Sequence, residues 1–159
     1  MAFVIRPAER KDAAAVAQIR ATGWRETYSS FLSETVLAQV APTQAGIERW
    51  ANTASTSDRF VVAEVDGEVR GFALAGDAEG DDPPRPLQLF VLYQYATEHG
   101  SGSGQALLDA ALGDEPALLW VAELNPRAQA FYRRNGFEPD GERLVAEHLE
   151  GLVEIRMVR

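Results

Sequence analysis

A short glycine-rich run near residue 100 constrains this chain more than any other feature of its sequence. Gly100, Gly102 and Gly104 alternate with serines within the segment His99–Gln105. The run follows the apolar stretch Leu87–Leu92, which is typical of a strand buried on both faces, and it precedes a segment with helical spacing of apolar residues. Glycines let a backbone approach an anion closely, and a helix start offers unpaired N–H groups. The run therefore predicts a site for a phosphate or a diphosphate.

Two widespread phosphate-binding motifs do not fit the glycine-rich run. A Walker loop ends in Gly-Lys-Ser/Thr, whereas this chain has Gly104-Gln105-Ala106. The dinucleotide fingerprint is G-x-G-x-x-G in a first strand–helix–strand unit, whereas these glycines follow G-x-G-x-G past the middle of the chain. A flexible connector that merely begins a helix is the alternative interpretation at this point.

Local signals predict an N-terminal helical third followed by alternating strands and helices. Asp12 and Ser33 are predicted to cap the first two helices, and Asn125-Pro126 to begin the last one. Asp66-Gly67 indicates a β-hairpin. The predicted strands are Phe3–Arg6, Arg59–Asp66, Glu68–Ala75, Leu87–Leu92, Ala117–Ala122, Glu142–Glu150 and Leu152–Val158, and the predicted helices cover 12–28, 33–40, 44–54, 102–112 and 125–134. Because this alternation requires right-handed crossovers and some parallel pairing, the predicted fold class is mixed α/β. One sheet of about seven strands would carry helices on both faces, in a single domain spanning residues 1–159.

Composition narrows the classes of function. The net charge of −9 disfavours a nucleic-acid binder, which needs a basic surface, and instead favours cationic partners such as amines. No apolar run is long enough for a bilayer, and the N-terminus lacks the pattern of a signal peptide, so we expect a cytoplasmic protein without a membrane partner. The absence of cysteine excludes disulfides, thiolate metal sites and a cysteine nucleophile, and two histidines far apart in sequence do not suggest a metal.

Two blocks of sequence resemble the hallmarks of the GNAT superfamily of N-acetyltransferases. The first, His99-Gly100-Ser101-Gly102-Ser103-Gly104, resembles the family's Gln/Arg-x-x-Gly-x-Gly/Ala, with histidine in place of the usual first residue. The second runs from Asn125 through Phe131-Tyr132 to Gly136-Phe137, and is similar to the family's pattern of Asn, a small residue, Phe-Tyr and Gly-Phe. The separation of the blocks and the order of elements also match, so the resemblance covers essentially the whole chain.

The resemblance implies an N-acetyltransferase that uses acetyl-CoA and no metal. In that family the fourth and fifth strands part in a V-shaped split, where the pantetheine arm pairs with the fourth strand like an added strand. Backbone groups of Val91 and Tyr93 would contact this arm, and Asn125 would contact its amides. The residues implied for the diphosphate are His99, Gly100, Ser101, Gly102, Ser103, Gly104 and Gln105.

The resemblance also implies catalytic roles. Tyr132 matches the family's tyrosine that protonates the leaving thiolate, as a positioned phenol is able to do. The base that takes the proton of the amine is left open by the sequence. Glu123, at the end of the fifth strand, is one candidate, and Glu26 and His148 are others. A sufficient fraction of free amine would make a dedicated base unnecessary.

The implied acceptor is a small-molecule or peptide amine. Trp24 and Tyr28 lie where the family builds its acceptor pocket, but they are four residues apart on one helix face, which equally predicts a stripe facing the core. Direct attack in a ternary complex is expected, because an acyl-cysteine intermediate is excluded. The alternative is a degenerate acyl-CoA-binding module without turnover. The oligomeric state is left open between a monomer and a homodimer.

Overall fold

The computed structural model describes residues 2–159, which form seven strands and five α-helices. The strands are β1 (Val4–Pro7), β2 (Phe60–Val65), β3 (Glu68–Asp77), β4 (Leu87–Gln94), β5 (Leu118–Ala122), β6 (Glu138–Ala146) and β7 (Leu152–Val158). The helices are α1 (Ala13–Tyr28), α2 (Glu34–Ala38), α3 (Gln44–Thr56), α4 (Ser103–Leu112) and α5 (Pro126–Arg134). Within residues 2–159, no helix is long and apolar enough to cross a bilayer.

The strands form one mixed sheet in the order β1-β2-β3-β4-β5-β7-β6. Strands β4 and β5 are parallel, whereas β1–β2, β2–β3, β5–β7 and β6–β7 are antiparallel. The predicted mixed α/β sheet of about seven strands is therefore confirmed. The register of β4 and β5 contains two pairs, Gln88–Leu118 and Leu89–Leu119, although the strands have eight and five residues.

The chain forms two compact units. The first contains the residues up to Ala75 together with Val91–Gly113, and the second contains Gly76–Phe90 together with Asp114–Arg159. Strands β3 and β4 each contribute to both units. That residues 1–159 act as one domain stays a prediction.

In the first unit, helices cover both faces of the strands. Phe72 of β3 packs with Val16 of α1 and with Trp50 of α3, whose ring centroid lies 5.4 Å away. A Cβ added to the preceding Gly71 would lie 3.2 Å from a methyl of Leu107 in α4. Because successive side chains of a strand point to opposite faces, α1 and α3 cover one face and α4 covers the other.

A nearly buried carboxylate connects β1 to the start of α1. Asp12 is 5% exposed, and its two oxygens accept hydrogen bonds from Nη1 and Nη2 of Arg6 at 2.8 and 2.9 Å. It also accepts from the amide of Glu9 at 2.8 Å. Asp12 precedes α1 as predicted, but the predicted capping bond is wrong, because these partners occupy its carboxylate.

Replacing Asp12 with asparagine is expected to lower the free energy of unfolding at pH 7 by about 2 kcal/mol, because charge-assisted hydrogen bonds are lost. Burial alone raises the pKa of Asp12, but the bonds from Arg6 and the Glu9 amide outweigh it and hold the pKa below its ordinary value of 3.8. The stabilisation is therefore complete at a pH above the ordinary pKa of 3.8. It is lost as the pH falls through the lowered pKa of the folded state. Urea unfolding at pH 7 and at acidic pH measures both effects. Asp58→Asn, in an exposed loop, is the control, and equal stabilities of the two variants would contradict the assignment.

In the second unit, β7 lies between β5 and β6. Strand β6 begins at Glu138, earlier than predicted, and its register with β7 shifts between Pro139 and Arg143. Gly141 lies within this irregularity with a φ of 96°, which favours glycine. The strand ends at Ala146, so the prediction that it continues to residue 150 is wrong.

Candidate active site

The glycine-rich run forms a tight turn at the start of α4, held by serine hydroxyls. Ser101 Oγ donates to the carbonyl of Glu98 at 2.7 Å and accepts from the amide of Ser103 at 3.2 Å. Gly100 and Gly102 have φ angles of 83° and 94°, which glycine adopts without the strain of a Cβ. Helix α4 begins at Ser103, as the sequence predicts.

This turn has the properties of an anion site. The first N–H groups of a helix have no partner within the helix, and the helix dipole places positive potential at the same end. Ser103 and Gly104 are buried, whereas the remaining residues predicted for the diphosphate are exposed: His99, Gly100, Ser101, Gly102 and Gln105. The carboxylate of Glu98 is buried next to the turn. Its negative charge is balanced by Arg70, whose Nη2 lies 3.4 Å away, and it accepts a 2.7 Å hydrogen bond from Thr97.

Gln94, the last residue of β4, lies beneath the turn. Its Oε1 accepts a 2.7 Å hydrogen bond from Ser103 Oγ. A Cβ added to Gly104 would lie 3.2 Å from Gln94 Nε2, so the helix start fits over this side chain only because residue 104 has no Cβ. The strand was predicted to end at Leu92, so this contact was not expected. The available signal was a polar residue between a buried strand and the glycines.

The backbone of β4 near its end has a defined orientation relative to β3. The amide of Tyr95 donates to the carbonyl of Arg70 at the start of β3, and the carbonyl of Tyr93 lies 3.2 Å from where a Cβ on Gly71 would be. The peptide groups of Tyr93 and Tyr95 therefore face β3, and those of Gln94 between them point away from it. This orientation favours Gln94 as a further candidate for pairing with a ligand strand, and the contacts expected of Val91 and Tyr93 stay predictions.

The predicted acceptor residues Trp24 and Tyr28 pack against each other on α1, with ring centroids 5.1 Å apart. Tyr28 is buried, and the guanidinium of Arg20 lies 5.5 Å from the Trp24 ring. A cation from the protein thus already contacts the ring predicted to hold a cationic acceptor. Their role in binding stays a prediction.

Asn125 and Tyr132 belong to the second unit. Asn125 Oδ1 accepts from the amide of Ala128 at 3.2 Å, which confirms the predicted helix cap. Tyr132 is 8% exposed and makes edge contacts with Phe131 and Phe137 at centroid distances of 5.3 and 5.9 Å. The ring of Tyr132 is therefore fixed by packing.

The three candidate bases are all exposed. Glu123 accepts two hydrogen bonds from Arg143, at 3.0 and 3.2 Å. His148 lies in the turn Glu147–Leu149 between β6 and β7, not on a strand as predicted, and Glu26 lies on α1. Within residues 2–159, no group of three or more metal-binding side chains is arranged to hold a metal ion.

The second unit also contains a cavity of about 460 Å³ that the sequence analysis missed. Trp120 and Glu154 line it, on the neighbouring strands β5 and β7. Burial raises the pKa of Glu154, and the nearby His148 opposes this only in part. Further lining residues are Glu79, Gly80, Asp81, Pro83, Gln88, Leu89, Phe90, Leu118, Leu144 and Arg156. These positions come from the loop between β3 and β4 and from four strands distant in sequence, so no contiguous motif marks them.

Comparison with solved structures shows the same fold elsewhere. The PaiA N-acetyltransferase of Thermoplasma acidophilum, solved in complex with coenzyme A, superposes with a TM-score of 0.76 over 98% of both chains at 19% identity. Ard1 of Thermoplasma volcanium gives a TM-score of 0.73 at 23% identity, over 100% of this chain and 97% of that one.

Sequence relatives agree with the fold. A probable N-acetyltransferase of Mycobacterium tuberculosis H37Rv is 26% identical over 93% of this chain and 87% of its own length. A second, uncharacterised N-acetyltransferase of that organism is 36% identical over 61% of this chain and 65% of its own length. The model of the acetyltransferase (GNAT) domain matches residues 56–139, which is more than half of the chain and includes both motifs. The chain therefore belongs to the GNAT family of acetyltransferases.

Proposed function

We propose that this protein transfers an acetyl group from acetyl-CoA to a primary amine, by direct attack within a ternary complex. The observation that carries the proposal is the serine-held glycine turn at the start of α4, which fits a diphosphate. Family membership and the coenzyme A bound to the Thermoplasma PaiA protein support coenzyme A as the source of that diphosphate. Acetyl-CoA supplies an activated thioester.

Three groups of residues are proposed to contact the donor. The segment His99–Gln105 holds the diphosphate through its backbone amides. The backbone of β4 pairs with the pantetheine arm at Gln94 in particular, whose peptide groups point away from β3. The cap occupies Oδ1 of Asn125, so its NH₂ group is the one that donates to a pantetheine carbonyl.

Tyr132 is proposed as the proton donor to the leaving thiolate, because its ring is fixed by packing and a phenol is a competent general acid. Glu123 is proposed as the proton acceptor for the amine. Its two hydrogen bonds from Arg143 must then open before it takes a proton, and transfer from the free amine fraction competes with this route. Trp24 and Tyr28 stay proposed contacts of the acceptor.

Two measurements test this function. Calorimetry with acetyl-CoA is expected to show binding, because the turn is already formed. A thiol-release assay with a panel of primary amines is expected to show turnover that depends on the amine. Binding without release for every amine would identify an acyl-CoA-binding module instead, and absence of binding would refute the proposal.

A further inference from the structure

The cavity of about 460 Å³ in the second unit carries negative charge without a matching cation. Glu79, Asp81 and Glu154 border it, and none of them has an ion-pair partner within residues 2–159. Arg156 also lines the cavity, with its Cζ 5.7 Å from the Trp120 ring centroid. Its Nε lies 2.6 Å from Asp140 Oδ2, so this cation already has an acidic partner outside the cavity lining. A cationic ligand would therefore find complementary charge in this cavity.

Gln88 gives the cavity an unused hydrogen-bond donor. The residue is only 7% exposed, and its Oε1 accepts from the amide of Glu79 at 3.1 Å. Its Nε2 has no hydrogen-bond partner within the described chain. Every fully buried side-chain nitrogen of the described residues has such a partner, so Nε2 is not fully buried and must be open to the cavity. This donor is available to a ligand group that accepts a hydrogen bond.

The walls suit an aliphatic chain. Phe90, Trp120 and Leu144 provide apolar surface next to the carboxylates. A cavity of this size holds a small molecule. Glu154 is the most rigidly placed carboxylate, because its strand pairs with β5 at Ala122 and with β6 at Leu144. Burial raises its pKa, and His148 nearby opposes this only in part.

We propose that this cavity, as an alternative to the ring pair Trp24 and Tyr28, is the acceptor site and that it selects small aliphatic amines bearing a second positive charge, with Glu154 as the specificity-determining residue. This inference rests on the proposed acetyl transfer. The reacting amine loses its proton before attack, whereas the second ammonium stays charged and pairs with Glu154. Glu79 and Asp81, on the exposed loop between β3 and β4, add to the negative field.

Three primary amines of equal chain length test the inference. Butane-1,4-diamine, butylamine and 4-aminobutanoate carry a positive, a neutral and a negative group at the far end. We expect kcat/KM for the diamine to exceed that for butylamine by about tenfold, with 4-aminobutanoate slower still. Glu154→Gln keeps the shape of the side chain and removes its charge, and it is expected to abolish most of the difference in kcat/KM between the diamine and butylamine.

Glu142→Gln is the matched control, because Glu142 is an exposed residue of β6 outside the cavity and without an ion pair. Equal rates with the diamine and butylamine, or an unchanged preference in Glu154→Gln, would overturn the inference and leave acetyl transfer intact. Calorimetry with butane-1,4-diamine separates the two proposals. Binding that Glu154→Gln weakens, with no thiol release for any amine, would refute the proposed function and leave the cavity as a binding site for the diamine. A diamine that neither binds nor reacts would overturn the inference.

Discussion

Replacing Gly104 with valine is expected to raise the dissociation constant of acetyl-CoA by about a hundredfold, the equivalent of two charge-assisted hydrogen bonds. A bare Cβ at this position would already lie 3.2 Å from Nε2 and 3.6 Å from Cδ of Gln94. The two further methyl groups of valine would displace Gln94, and with it the 2.7 Å bond from Ser103 that holds the helix start. Calorimetry with acetyl-CoA measures the effect.

Gly46→Val is a closely matched control. Gly46 also lies in the first turn of a helix, and a Cβ there would lie 3.1 Å from the capping oxygen of Thr43. Both variants therefore disturb a helix start, but only Gly104→Val disturbs the proposed diphosphate site. Gly104→Ala should fall between wild type and valine, because Gln94 needs to move only a few tenths of an ångström. Equal affinities of the two valine variants for acetyl-CoA would refute the placement of the diphosphate.

Local signals in the sequence predicted the turns and caps well, because those structures depend on neighbouring residues. Asp66 and Gly67 both adopt positive φ angles, 52° and 82°, in the predicted hairpin. Ser33 accepts a hydrogen bond from the amide of Val36, and Asn125 caps α5, as predicted. These outcomes need no knowledge of the rest of the fold.

The errors arose where residues distant in sequence decide the structure. Asp12 is of a residue type that commonly caps helices, but Arg6 on β1 binds its carboxylate. The segment Pro139–Gly141 has turn-forming residues, yet pairing with β7 continues on both sides of it. The apolar run ends at Leu92, where β4 was predicted to stop, whereas the strand continues to Gln94, which bonds to Ser103. In each case a tertiary contact outweighed a local preference.

The glycine turn was predictable because its residues are contiguous in sequence. The cavity was not predictable, since its residues lie on separate strands and on a loop. Trp120 on β5 lies opposite Arg156 on β7. Only the register of these strands shows that Glu154 lies on the same face as Trp120, two residues away along β7. The negative charge of −9 favours cationic partners but does not identify which carboxylates would contact them.

Replacing Tyr132 with phenylalanine is expected to reduce kcat by tenfold or more, a conservative figure for the loss of a general acid, and to leave the affinity for acetyl-CoA nearly unchanged. The ring contacts with Phe131 and Phe137 at 5.3 and 5.9 Å do not need the hydroxyl, so the variant should fold normally. Steady-state thiol release gives kcat, and calorimetry gives the affinity. A fall in kcat at constant affinity is expected only if the hydroxyl acts during bond breaking.

Tyr95→Phe is the control, because it also removes a phenol hydroxyl, but from a residue without a proposed role in the reaction. The Tyr95 ring lies under the guanidinium of Arg70, 4.7 Å from ring centroid to Cζ, and this contact survives the substitution. The control should therefore retain wild-type turnover, which separates the loss of a phenol in general from the loss of this one. Unchanged kcat in Tyr132→Phe would exclude the proton-donor role. If the affinity for acetyl-CoA instead fell enough to explain the whole loss of turnover, Tyr132 would be a residue that binds the donor. Solvent would then protonate the leaving thiolate.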